Sequence, residues 1–376
     1  MERGTAMSKY LVKLMPLGKF FFGGDMTFKV DDKETAFSSY IIHSFMTPQQ
    51  TSILGMMRFL ILSNNAGAFN CKGNCITDKG KADALIGEQG FVVGSSKHNP
   101  SDYQSIKNVG PCFIWETQKH KAFFRGAKDV DLQIGKEDMV DATINMMSVQ
   151  LPKIDIQEEG KMKPFTGKDY LSGCYISLDG EKLKESDIFI EDTRIGINKS
   201  YTGKSENNAF YKQVSYRLEK NFCFAFEVEV SDSIDLTAYN KQVVKLGADD
   251  SSFVFEAERV EKVDYPVSKK ELRVVLLSDT YLPDIANCNV LFAITDVRPF
   301  RFLSISNSTN AQDYNVKYKS SRSAKRYDLY QAGSVFYFKD EKDKKDFCGR
   351  IDSYQEFKQI GYNLSLIHIS EPTRPY

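Results

Sequence analysis

The chain has 376 residues, 41% of them hydrophobic and 12% aromatic, which is enough apolar material and length for two packed domains rather than one core. Lysine plus arginine and aspartate plus glutamate each number 50, so the whole molecule carries no electrostatic footprint for nucleic acid, and any such site must be local. The longest apolar run, Ile53 to Leu62, is interrupted by Arg58 and too short to span a bilayer, and the N-terminus lacks the apolar stretch of a secretory leader. Seven cysteines scattered from Cys71 to Cys348 fit a reducing cytoplasm better than a disulfide framework.

Tyr10 to Met15 reads as an opening strand that Pro16 stops, followed by the loop Phe20-Phe-Phe-Gly-Gly-Asp25. Thr47 sits where an N-cap belongs, Pro48 at the first helical position and Gln50 three residues after Thr47, a capping-box pattern. Ile53, Leu54, Met56, Met57 and Leu60 supply the buried stripe of that helix. Residues 64–105 are polar and glycine-rich and read as a loop-rich insertion; Met7 is an alternative start. Short strands are expected within Ile106 to Trp115 and at Ala122 to Phe124, and 153–187 has the mixed composition of a connector, placing a domain boundary at 188/189.

In the second half, Phe222, Phe224, Phe226, Val228 and Val230 alternate with Cys223, Ala225, Glu227 and Glu229, the period of a half-buried strand. A helix over Leu236 to Leu246 with Gly247 as its C′ residue is expected next, then strands at Phe253–Val263 and Leu272–Leu277. Strand, helix, strand, strand is the order of a ferredoxin-like unit. A short helix near 280–287, a strand at Val290 to Thr295 and a strand at Ala332 to Phe338 complete the series. Leu364 to Arg374 reads as translated sequencing-adapter sequence, which sets 364–376 outside the fold.

Outside that tail the histidines are His43, His98 and His120, and none is spaced with a nucleophile as a Ser/His/Asp or Cys/His enzyme would need. Cys71-x-x-x-Cys75 lacks a second ligand pair for zinc, and Thr202-Gly-Lys-Ser205 lacks the glycine of a phosphate-binding loop, since Asn198 stands there. No cofactor motif is present. Basic loops remain. Tyr314 to Tyr327 carries Lys317, Lys319, Arg322, Lys325 and Arg326 with no acid after Asp313, interleaved with Tyr318, a pattern suited to phosphate contact and base stacking, or to a solvated loop. Arg194-Ile-Gly-Ile-Asn-Lys199, continuing through Tyr201 and Lys204, is a second such segment. Lys119 to Lys128, with Lys121, Phe124 and Arg125, is a third.

In order along the chain, Pro16-Leu-Gly-Lys-Phe-Phe-Phe-Gly-Gly-Asp25, Pro48-Gln-Gln-Thr-Ser-Ile-Leu-Gly-Met-Met-Arg58, Ala127-Lys-Asp129, Arg194-Ile-Gly-Ile197 and Ala332-Gly-Ser-Val335 resemble the Cmr-three family, the handle-binding RAMP subunit of type III-B CRISPR complexes. The resemblance spans Tyr10 to Asn363, and the corresponding subunit of type III-D complexes shares the general pattern. It implies an α+β chain of two ferredoxin-like domains, 7–188 with the insertion at 64–105, and 189–363. It further implies a cytoplasmic, non-catalytic subunit without cofactor or metal that holds the 5′ repeat-derived tag of the guide RNA. Such a subunit docks the large polymerase subunit and the backbone RAMP subunit, and meets target RNA only indirectly. On this reading Arg194, Lys199 and Lys204 clamp tag phosphates, and Lys317, Lys319, Arg322, Lys325 and Arg326 add charge. Gly23, Gly24 and Gly333 allow close approach, and Gln49, Gln50 and Arg58 come from the helix-start motif. The alternatives are a guide-processing endoribonuclease using His43 with Lys13 or Arg58, and a metal-dependent cyclase using Asp249 and Asp250.

Overall fold

Tyr10, Val12 and Leu14 alternate with the charged Lys9 and Lys13, and in the computed structural model this segment is strand β1, Met7–Pro16, in the interior of the main sheet. The structure describes residues 6–365 except 25, 29–39, 73, 94–102, 145–146, 159–160, 166–172, 200–204, 267–271, 302, 308–317 and 323–324. The other strands of the main sheet are β2 (Ile106–Val109), β3 (Phe113–Glu116), β4 (Lys121–Arg125), β5 (Cys174–Ser177), β6 (Lys182–Lys184), β7 (Phe222–Ser231), β8 (Val243–Lys245) and β9 (Ser252–Arg259). Their order is β6-β5-β4-β3-β7-β1-β9-β8, with β2 pairing β7. Val12 stands opposite Phe226 on one side and Ala257 on the other, both antiparallel. The chain is thus mixed α+β, rich in strands and poor in helices, and it forms several sheets.

Helix α1, Gln50–Ser63, buries Ile53, Leu54, Met56, Met57, Leu60, Ile61 and Leu62 in the same cluster as Phe224, Phe226, Val228 and Val230 of β7. Burial of such side chains is worth about 1.5–3 kcal/mol each as an upper range, so this contact is a substantial apolar term in the fold. The helix begins later than the capping-box pattern predicts. Gln49 is the extended N-cap residue and makes no side-chain cap. The Thr47 carbonyl accepts from Arg298 at 2.8 Å, and the Gln50 amide donates to the carbonyls of Gly110 (2.7 Å) and Ile360 (2.9 Å).

Several expectations are corrected. Strand β7 is buried on both faces rather than one, since Ala225 packs with Leu11, Phe113, Phe124 and Leu277. The segment 64–105 contains helix α2, Lys79–Ile86, whose N-cap Asp78 accepts from the Lys81 amide at 3.0 Å, and a strand pair, Phe69–Asn70 with Cys75–Ile76. The expected helix over 236–246 is a 3₁₀ turn, Leu236–Tyr239, followed by β8. There the Asn240 side chain pairs with both backbone groups of Ala257 (2.7 and 3.1 Å), and Val243-Val244 favours a strand edge over a helix. The expected connector contains strand Lys161–Pro164, which joins a sheet with the long hairpin Leu132–Ile144 and Met147–Glu158.

The main sheet draws strands from both sides of residue 188, so 7–188 and 189–363 share a core. A second sheet joins Phe189–Lys199, Ser205–Leu218, Tyr40–His43 and Met26–Phe28. A separate small core, with Val274, Leu276, Phe336 and Phe338, lies where helix α3, Glu341–Ser353, brings Phe347 and Ile351 onto the sheet of Arg273–Val275, Phe292–Ile294 and Val335–Tyr337. Residues 364 and 365, set outside the fold on sequence grounds, pair with this region. Ser365 bridges Leu276, and the Leu364 carbonyl accepts from the Leu277 amide at 2.8 Å, because the strand end at Leu276–Ser278 offers unpaired backbone groups. The remaining tail, 366–376, lies outside the described residues.

Gln50→Leu preserves volume but leaves the Gly110 and Ile360 carbonyls buried without their donor. We expect a loss of about 2 kcal/mol in urea unfolding, and an unchanged midpoint would mean that this amide bridge contributes nothing.

Candidate nucleic-acid interface

Asp129 is buried at the end of the Ala127-Lys-Asp129 segment, where Arg273 donates to it through Nε (2.7 Å) and Nη2, and Tyr337 donates through its hydroxyl. This fixes the loop after β4 to the small sheet. Gly333, at φ +85°, closes the same junction: its carbonyl accepts from the Lys128 amide at 2.9 Å, and a Cβ there would run into the Gly126 carbonyl.

A cleft of about 270 Å³ opens beside this junction. On one wall Arg298 donates from Nη1 to Asp279 Oδ2 (2.9 Å) and from Nη2 to the Thr47 carbonyl (2.8 Å), with its guanidinium 4.0 Å from the Phe45 ring centroid. The other oxygen of Asp279 accepts from the Ala332 amide at 3.0 Å. On another wall Arg125 pairs with Glu185 and lies over the Tyr175 ring. Phe124, Tyr216 and Tyr362 complete the aromatic lining. Burial pushes the Tyr175 hydroxyl up to about 12 against the opposing pull of Arg125, and pushes the Cys112 thiol well up, so both groups stay protonated at neutral pH. Each arginine of the lining faces a carboxylate, and the cleft carries no net charge from these four groups.

The structure brings some of the sequence-selected segments to or beside this cleft. Gln50 lines it, and Ala332 lines it next to Gly333. Gly23, at φ +48°, and Gly24 precede a strand pair whose far end, Ser44, also lines it. A Cβ on Gly24 would strike the His43 carbonyl. Phe20, Phe21 and Phe22 are core, as their apolar run suggests: Phe20 bridges Tyr216, and the Phe22 amide donates to Ser44 Oγ at 2.8 Å. Gln49 ends the extended entry to α1.

Other selected residues stand elsewhere. Arg58 caps the end of α2, donating to the carbonyls of Ile86 (2.9 Å) and Gly87 (2.8 Å). Arg194 is exposed on Phe189–Lys199, opposite Gln213, and Lys199 ends that strand opposite Ser205. Lys319 and Arg322 fall on strand Tyr318–Arg322, opposite Ser306 and Leu303. Lys325 lies over the Tyr327 ring at 5.0 Å, and Arg326 pairs with Asp328 at 3.2 Å. Lys204 and Lys317 lie outside the described residues. In the third basic segment, Lys121 is held by Asp179 and Glu181, both at 2.7 Å.

The groups invoked by the alternatives have separate commitments. His43 is exposed on Tyr40–His43, while Lys13 pairs with Glu258 at 2.8 Å. Asp250 pairs with Lys245 at 2.5 Å and Asp249 accepts from Gln213. Among the described residues no group of three His, Cys, Asp or Glu is placed to hold a metal, and no helix is long and apolar enough to cross a membrane.

Sequence reasoning missed Arg298, Asp279 and Glu185. A usable signal existed for the first: Arg298 stands alone in the apolar run Val297-Arg-Pro-Phe300, where a buried charge demands a partner. For Asp279 and Glu185 no local pattern marks the pairing, which joins residues distant in the chain.

Breaking the cleft pair should be costly. Asp279→Ala strands the Arg298 charge at 5% side-chain exposure and should destabilise by about 3 kcal/mol or more; the double variant Asp279→Leu/Arg298→Met should recover part of that loss in denaturant titration. A second prediction concerns acid. The Lys121 ammonium, aided by the Ser177 hydroxyl, holds the Asp179 carboxyl down to about 2, so its contribution to stability is complete above its unfolded value of 3.8 and fades as pH falls toward 2. Lys121→Met should flatten melting temperature against pH in that window, and an unaltered profile would refute the assignment.

A family model described as CRISPR-associated protein (Cas_Cmr3) matches residues 12–369. Among curated proteins none matches the sequence significantly. Among solved structures the chain is similar to a chain of the type III-B Cmr-beta complex bound to cognate target RNA, at 14% identity and a TM-score of 0.48, over 95% of this chain and 96% of that one. It has the same identity and TM-score with a chain of that complex bound to target RNA and AMPPnP, over 95% of each. A chain of the apo complex gives 13% identity and a TM-score of 0.28, over 69% of this chain and 99% of that one.

Proposed function

We propose that this chain, which belongs to the CRISPR-associated Cas_Cmr3 family, is the subunit of a type III-B Cmr complex that holds the 5′ repeat-derived tag of the guide RNA. The observation that carries the reading is convergence. Segments far apart in sequence, including the entry to α1, the loop after β4 and the glycine turn at Ala332-Gly333, meet around one aromatic cleft. Their order along the chain is the order in which the family resemblance appears.

In this role the exposed strand carrying Arg194 and Lys199 and the basic strand Tyr318–Arg322 supply phosphate contacts. Lys204 and Lys317, outside the described residues, belong to the same proposal. The chain itself does no chemistry: it positions RNA and docks the large polymerase subunit and the backbone RAMP subunit. Balanced net charge accords with a grip completed by neighbouring subunits, since 50 basic and 50 acidic residues give the isolated chain no long-range pull on RNA. The two-unit, ferredoxin-like description belongs to the same proposal, with α1 on the main sheet and α3 on the small sheet as its helical layers.

The test is charge reversal within the co-expressed complex. Arg194→Glu/Lys199→Glu should weaken binding of tag-bearing RNA and reduce the dependence of log K on log salt by about 1.4, from about 0.7 per single-strand phosphate contact. Equal affinity and slope in the variant would remove these residues from the clamp.

A further inference from the structure

We infer that the cleft accepts one unstacked base of the guide RNA while the phosphates stay outside it, an inference that rests on the RNA-holding reading above. Charge is the first argument. Both arginines of the lining are already matched, Arg298 by Asp279 and Arg125 by Glu185, so a phosphate entering the cleft would lose hydration to meet two carboxylates along with two arginines. Such a site gives no preference to an anion. A neutral, flat, polar-edged group pays no such penalty.

The walls are the second argument. Phe45, Phe124, Tyr175, Tyr216 and Tyr362 line the space; Phe45 and Tyr216 are the half-buried rings among them, and aromatic faces bind bases by stacking. The volume, about 270 Å³, lies just below the roughly 300 Å³ at which pockets begin to enclose drug-sized ligands, and suits one ring system rather than a run of nucleotides.

The polar groups supply the third. Arg298 is 4% exposed, and its Nε is buried with no acceptor in the protein. A keto oxygen or ring nitrogen on a base edge would satisfy it. Most neighbouring groups are already occupied: Asp279 accepts from Ala332 and Arg298, and Ser44 Oγ accepts from Phe22 and donates to the Phe45 carbonyl. Few donors and acceptors remain to tell one base from another, so the cleft recognises that a base is present more than which base it is.

The experiment uses the assembled complex and tag-bearing guide RNAs carrying 2-aminopurine, or an abasic residue, at each tag position in turn. One position should show a large change in 2-aminopurine emission on assembly. An abasic residue there should weaken binding at least roughly fivefold, whereas exchanging its base should matter much less. Phe45→Leu, with cooperative thermal unfolding as the check that it folds, should abolish the emission change while the salt dependence of RNA binding persists. If RNA binds but no tag position responds, or if abasic substitution is harmless everywhere, the base-holding cleft is refuted and the RNA-holding role stands. Tag-bearing RNA assembling equally well without this chain would overturn the role itself, and the cleft proposal with it.

Discussion

The arrangement around the cleft depends on one carboxylate. Asp279 takes the amide of Ala332 on one oxygen and the guanidinium of Arg298 on the other, and Arg298 reaches on to the carbonyl of Thr47. The strand Val297–Phe300, whose partner strand Tyr327–Tyr330 leads into the glycine turn, is thereby tied to that turn a second time and to the entry to α1. Because Asp279 and Arg298 are both nearly buried, neither can release the other without leaving an unpaired charge, and this makes the junction close to all-or-none.

What the sequence made legible was periodicity. Strands β1, β7 and β9 and the apolar stripe of α1 were readable because their alternation or their repeat near four residues reports which side meets the core. What it hid was decided by partners remote in the chain. The helix expected over 236–246 became a turn and an edge strand because Asn240 found the backbone of Ala257, and no window centred on 240 contains that partner. Strand β7 read as half-buried because Glu227 and Glu229 alternate with apolar residues; its second face is covered by side chains from β3 and β4 and by Leu277. The chain's α+β character was accessible, whereas the sharing of one sheet by strands from both sides of residue 188 was not.

The site was legible in part. Gln50, Arg125 and the turn at Ala332-Gly333 were selected from sequence and do meet the cleft, yet the pairings that shape it were hidden, since no local pattern marks Asp279 or Glu185 as the partners of Arg298 and Arg125. Arg58, a basic residue in a suggestive motif, has a commitment its own helix could not have revealed: its guanidinium donates to two carbonyls at the end of α2.

The glycines sharpen how such a surface is built. Gly24 and Gly333 were selected because a missing side chain lets something come close, and in both cases what comes close is the chain itself: the carbonyl of His43 in one, that of Gly126 in the other. Close approach there tightens the loops and leaves the cleft between them open. On the proposed reading an RNA strand would meet walls of aromatic rings and matched charges rather than a nest of backbone amides, with basic residues outside the cleft taking its phosphates, a division of labour that would reconcile a charge-balanced chain with a nucleic-acid partner.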